Sequence, residues 1–148
     1  MNYGFVNVAA AIPSVRVADV RYNVGEIATL LFKAEAEGVE VVTFPELSLT
    51  GYSCQDLFAQ QSLLMAAEEA MTQLLNNTRQ LDVIGIVGAP VPYRNLLLNC
   101  GIVFQHGHIL GIVPKTFLPN YNEFYEKRWF ASSADIDTDV IHYAGNAN

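Results

Sequence analysis

Apolar residues recur along this chain with two different periods, and the alternation between them predicts an α/β order. Tyr3 to Ile12 is an apolar run closed by Pro13, which predicts a buried first strand. Val20, Val24, Ile27, Leu31 and Ala34 then recur at the spacing of one helix face, with Asp19 placed to cap the helix and Gly38 to end it. Val39 to Phe44 reads as a second strand. Pro45 should stop it, because proline has no amide N–H and disfavours the helical region for the preceding residue. A second helix is expected to open at Ser62, with Leu64, Ala67, Met71, Leu74 and Thr78 on one face. Met65 and Met71 read as packing residues. Asp82 to Pro90 is almost continuously apolar and includes Gly85 and Gly88, the mark of a strand covered on both faces. Leu96–Phe104 and His108–Val113 flank a predicted hairpin turn at Gln105-His106-Gly107-His108. Val140–Tyr143 reads as a last short strand, and Gly145–Asn148 as the start of a loop.

Composition narrows the class. The 148 residues suit one domain with a real core, and no internal repeat, low-complexity tract or linker interrupts them. Charged residues make up 16% of the chain, against about 25% in typical soluble domains. That deficit predicts extensive covered surface, as in a layered sheet within a homo-oligomer. Mean hydropathy is +0.22, yet no apolar run approaches the ~18 residues that span a bilayer. No basic residue precedes Arg16, so a secretory signal is not expected, and a cytoplasmic location is the default. A net charge of −7 with only 8 Lys and Arg argues against a nucleic-acid partner. Cys54 and Cys100 read as free thiols, the latter as a small apolar residue within its strand. His106 and His108 fall at a turn and read as exposed rather than as metal ligands, and His142 has no evident partner.

Two residues stand out chemically. Glu46 follows the second strand directly, at the carboxyl end where open α/β sheets place their crevices. A carboxylate there is costly unless paired. Lys115 lies just beyond the strand His108–Val113, where an isolated lysine would ordinarily be a solvated surface residue.

The surrounding residues change both readings. Phe44-Pro-Glu-Leu, followed by Thr50-Gly-Tyr52, resembles the first signature of the nitrilase (carbon–nitrogen hydrolase) superfamily. The segment Val113 to Phe130, with Lys115 near its start, resembles the second. The narrower pattern Lys115-x-x-Leu-Pro-Asn-Tyr-x-Glu-Phe-x-Glu-Lys-Arg128, with Leu49-Thr-Gly-Tyr-Ser-Cys-Gln-Asp-Leu-Phe58, is similar to the amide-hydrolysing domain of the glutamine-dependent NAD synthetase family.

This resemblance implies an α-β-β-α sandwich with Glu46 as general base and Lys115 stabilising the oxyanion. It also implies Tyr52, Tyr121 and Glu123 near the substrate. Glu126, Lys127 and Arg128 read equally well as a solvated ion-pair cluster. The family's third signature, which carries the nucleophilic cysteine, has no counterpart in the chain. Residues 1–148 are therefore expected to be the N-terminal part of the domain, inactive alone, with part of the sandwich interior exposed. The implied substrate is glutamine. The implied partner is a synthetase domain that takes up the ammonia and uses ATP and Mg, whereas the amide-hydrolysing domain itself needs no cofactor. No Gly-rich phosphate loop occurs here. A stand-alone hydrolase of another amide or nitrile, or a nucleophile-free binding module, stays open from sequence.

Overall fold

The computed structural model describes residues 4–138 and 140–147. Five strands form one sheet in the order β1 (Val8–Ala10), β2 (Val41–Thr43), β3 (Ile84–Tyr93), β4 (Leu96–Gln105) and β5 (His108–Pro114). The first three run parallel. Their crossovers carry α1 (Val20–Ala36) and α2 (Gln61–Asn77). From β3 onward the sheet is antiparallel. The β4–β5 hairpin turns through His106 and Gly107, whose φ angles of 50° and 78° suit a tight two-residue turn. A Cβ on Gly107 would stand 3.0 Å from Cβ of Arg79, at the end of α2.

Helix α1 starts and ends where its caps predict. The Asp19 carboxylate accepts from Tyr22 N–H, Gly38 has φ 72°, and Val20, Val24, Ile27, Leu31 and Ala34 are buried. Helix α2 opens at Gln61 and turns Leu63, Ala67, Met71 and Leu74 inward. Leu63 thus occupies the place expected for Leu64, and Met65 is 62% exposed rather than packed. Both helices bury against the sheet face built by Val42, Val87, Ala89, Leu98, Ile102 and Phe104.

The first strand differs from expectation, whereas the other face of the sheet is open as expected. The first strand is an exposed edge, only Val8–Ala10, with Val8 71% and Ile12 84% exposed. Tyr3 lies outside the described residues. The helices cover one side only, so alternation leaves Val8, Thr43 and Val113 uncovered on the opposite side. One α layer on one β layer is half of the sandwich expected from sequence. At the far end, β6 (His142–Tyr143) falls within the expected last strand and pairs with β7 (Asn146–Ala147), which forms where a loop was expected.

Strand β3 decides where the chain after β2 must go. Strand β2 pairs with it only as far as Ile86. Beyond that point the edge is completed by the chain that follows β2: Gly88 N–H donates to Ser48 Oγ at 3.3 Å, and Leu49 N–H donates to Gly88 O at 3.1 Å. Pro90 and Pro92 then fall on this side of β3 beyond the end of its pairing with β2, where a missing N–H breaks no strand ladder. Gly88 is also a steric requirement. A Cβ there would meet Leu47 N at 2.2 Å and Pro45 O at 2.8 Å, both backbone atoms.

Gly88→Ala should therefore destabilise the protein by about 1–3 kcal/mol through overpacking. Gly25 lies on the exposed side of α1 with open space around it. Gly25→Ala should stabilise by about 0.5–1 kcal/mol. Urea titration of both variants checks the opposite signs of their midpoint shifts.

Candidate active site

The segment after β2 is a series of tight turns with its apolar residues pointing inward. Ser48 N–H donates to Pro45 O, and Gly51 N–H to Leu47 O at 2.7 Å. Leu47 and Leu49 are completely buried and act as anchors. Leu47 takes a φ of 52°, in the left-handed region, which turns the chain sharply just after Glu46. Buried Asn23 on α1 donates to Leu49 O at 3.1 Å and ties the segment to the helix layer. Glu46 is left half-exposed at the carboxyl end of the sheet.

Lys115 arrives from the opposite direction, one residue beyond β5. Its N–H donates to Asn99 O at 2.8 Å, and its carbonyl accepts from Ser133 N–H at 3.1 Å. The ammonium meets Glu46 Oε1 at 2.8 Å, although the two residues are 69 positions apart in sequence. The same Nζ donates to Glu126 Oε1 at 3.1 Å and Oε2 at 3.0 Å. Tyr52 O–H donates to Glu126 Oε1 at 2.7 Å. The Asn99 side-chain amide donates to Glu46 Oε1 in a short contact.

One cation thus holds two carboxylates at the open face of the sheet. Glu126 is 3% exposed, and a buried carboxylate is tolerated when charge-assisted hydrogen bonds replace its water. Lys115 and Tyr52 supply them. Burial of Lys115 works against its charge, but its hydrogen bonds to Glu46 and Glu126 outweigh burial and raise its pKa above the usual lysine value. It is therefore a fixed cation at neutral pH. Burial, and then the hydrogen bond to Glu126, push the Tyr52 phenol well above its ordinary pKa, so it remains a donor.

Of the other sequence candidates, Tyr121 and Glu123 make no polar contact with this cluster among the described residues. Glu123 lines a cleft shared with Tyr52, Tyr125 and Trp129. Tyr121 is exposed and lies edge-on to Phe124. The expected ion-pair cluster of Glu126, Lys127 and Arg128 separates in space. Glu126 turns inward to Lys115. Arg128 binds Asp56 through two hydrogen bonds of 2.7 and 2.9 Å, and the Trp129 indole donates to the same carboxylate at 2.9 Å. This surface clip joins the turn that bears Tyr52 to the turn that bears Glu126.

Sequence reasoning missed Glu126 and Asn99. Glu126 lies only 11 residues from Lys115, but so does a crowd of other charges, and only burial distinguishes it. Asn99 interrupts an apolar strand between Leu98 and Cys100, a polar residue that needs a buried partner. That signal was available.

Neither cysteine joins the cluster. Cys54 is buried and donates to Thr50 O at 3.1 Å, and burial raises its thiol pKa. Cys100 is buried on the helix side of β4, and burial pushes its thiol up to about 12. His106 lies 3.5 Å from exposed Asp82. No metal-ligand cluster occurs among the described residues.

Residues 7–145 match the carbon-nitrogen hydrolase family. The chain belongs to that family. Glutamine-dependent NAD(+) synthetase of Mycobacterium tuberculosis is 38% identical over 97% of this chain, and that of Aquifex aeolicus 39% over 84%. The matches cover 21% and 22% of those proteins, so the chain spans about a fifth of the length of these curated relatives. The solved glutamine-dependent NAD(+) synthetase from Cytophaga hutchinsonii superposes with a TM-score of 0.87 at 27% identity, over 96% of this chain and 24% of that one. An amidase from Nesterenkonia sp. shares the fold, with a TM-score of 0.74 at 20% identity over 96% of this chain and 53% of that one. The helix-backed five-stranded sheet is thus a part of the carbon–nitrogen hydrolase fold.

Both raised thiol pKa values should be visible as inertness. Neither Cys54 nor Cys100 should react with iodoacetamide at pH 8 in the native protein, while both react in denaturant. The same shifts carry a sign for stability. A thiol held above its ordinary 9.0 favours the folded state below that pH. The contribution disappears as pH rises through 9.0 toward the folded value of about 12 for Cys100. Cys100→Ala should therefore flatten the alkaline loss of stability, as measured by urea midpoints between pH 8 and 10.

Proposed function

We propose that this chain supplies the base and oxyanion side of a glutamine amidohydrolase whose ammonia feeds NAD synthesis. The observation that carries this reading is the Lys115 ammonium seated 2.8 Å from Glu46 and 3.0 Å from Glu126. A base and a fixed cation in reach of one substrate atom are the two groups that acyl transfer needs beside a nucleophile. Similarity to glutamine-dependent NAD(+) synthetases along nearly the whole chain supports glutamine as the amide.

In this reading a thiolate attacks the side-chain amide carbon of glutamine. Glu46 takes the thiol proton and delivers it to the departing nitrogen as the carbon–nitrogen bond breaks, releasing ammonia. A thioester remains. Glu46 then removes a proton from water, which attacks the same carbon and frees glutamate, and the proton returns to the sulfur. Each step splits the reaction into a smaller barrier. Lys115 places a permanent positive charge where the carbonyl oxygen becomes anionic. The thiolate comes from neither Cys54 nor Cys100, whose burial suppresses the reactive form. It belongs to a segment outside these 148 residues. ATP, Mg and deamido-NAD belong to a synthetase domain that receives the ammonia, and the open apolar face of the sheet suits assembly into a larger particle.

The test uses the protein that carries this chain together with a nucleophilic cysteine and a synthetase domain. Lys115→Ala should lower glutamine-dependent NAD formation by about a hundred- to a thousandfold, as for loss of a single oxyanion donor. Formation from added ammonia should persist, since free ammonia bypasses amide hydrolysis. Glu46→Ala should show the same split. Equal loss with both nitrogen sources would indicate a folding or assembly defect, and unchanged glutamine use would remove these residues from the chemistry. The 148-residue chain alone should release no ammonia from glutamine.

A further inference from the structure

We propose that Asn99 is a positioning residue that selects which oxygen of Glu46 acts as the base. This rests on the amide-hydrolysis reading above. Asn99 stands on β4 opposite Pro90 and is 3% exposed. Its Nδ2 donates to Glu46 Oε1, the only hydrogen bond its side chain makes among the described residues. Its backbone carbonyl accepts from the N–H of Lys115, whose Nζ donates to the same Oε1 at 2.8 Å. One strand residue therefore fixes both reacting groups, the first through its side chain and the second through its main chain.

The consequence is an asymmetry within Glu46. A carboxylate oxygen has two lone-pair sites, and the donors from Asn99 and Lys115 occupy both on Oε1. Oε2 receives no hydrogen bond among the described residues. The proton taken from a thiol or water must then go to Oε2, and the orientation of that oxygen is set by how firmly Oε1 is held. A neutral amide is the suitable second donor. It fixes the carboxylate without adding a charge to a site that already contains Lys115, Glu126 and the Tyr52 phenol around Glu46.

Glutamine hydrolysis by the full-length protein, followed as kcat and KM across pH, tests the assignment. Asn99→Ala should lower kcat about ten- to a hundredfold, part of what a general base contributes, with KM within about twofold of the parent. Asn99→Asp has nearly the same shape but sets a second carboxylate against Glu46. Like charge disfavours ionisation, so the acid limb of the kcat/KM profile should move to higher pH. Thermal unfolding of each variant reports whether it folds. A folded Asn99→Asp protein whose acid limb and kcat match the parent would overturn the proposal, as would a folded Asn99→Ala protein changed in KM alone. Loss of folding in both variants would assign Asn99 a structural role and overturn it too. Glu46→Gln, run in parallel, separates the two readings. If it still hydrolyses glutamine, the amide-hydrolysis reading fails. If it is inactive while Asn99→Asp is unshifted, only the role of Asn99 fails.

Discussion

The chain after β2 completes the edge of β3 where a strand would otherwise lie, and the position of Glu46 follows from that substitution. Gly88 exchanges hydrogen bonds with Ser48 and Leu49 instead of with another strand. The absence of a side chain at Gly88 lets the Pro45–Leu47 backbone lie directly on the sheet. Leu47 and Leu49 then bury completely, which fixes the turn from the core side. The loop that carries Glu46 is in this way tied to the sheet by hydrogen bonds and to the core by two buried leucines.

Lys115 is positioned by independent means. Its backbone continues the β4–β5 ladder through Asn99, and its ammonium bridges two carboxylates that come from different parts of the chain. Pairing the buried Glu126 with a cation offsets a desolvation cost that neither group could bear alone. The pairing also keeps the lysine charged in spite of its partial burial. The second carboxylate thus serves the site by preserving the charge of the first one's partner. The Asp56–Arg128–Trp129 clip, though solvent-exposed, ties together the turns from which Tyr52 and Glu126 reach inward.

The open face of the sheet has a related origin. Both crossover helices lie on the same side, so the alternation of each strand leaves apolar residues such as Val8 and Val113 uncovered on the other. Glu46 and its Gly88 contact lie on that uncovered side, which places the candidate site where a further layer would enclose it. Desolvation of this kind strengthens the field of a fixed cation.

The sequence by itself determined the α/β class, the extent and caps of α1 and the β4–β5 hairpin, and it singled out Glu46 and Lys115 as candidates that the fold then brings together. Each is encoded locally, in a 3.6-residue period, a capping aspartate, a turn glycine or a motif of adjacent residues. The exposed character of β1 was not legible, because an apolar run looks the same at an edge as in a sheet centre, and only the number of covering layers distinguishes them. The inward face of α2 was read one residue out at Leu64 for a similar reason: adjacent leucines leave the phase of the helix to packing. The partners of Glu126 and Asn99 were decided only by tertiary structure, although the sequence showed Asn99 interrupting an apolar strand. A charged residue in a polar segment and an asparagine in an apolar strand acquire their roles from partners in distant segments. Those partners meet them only once the loop after β2 has settled on Gly88.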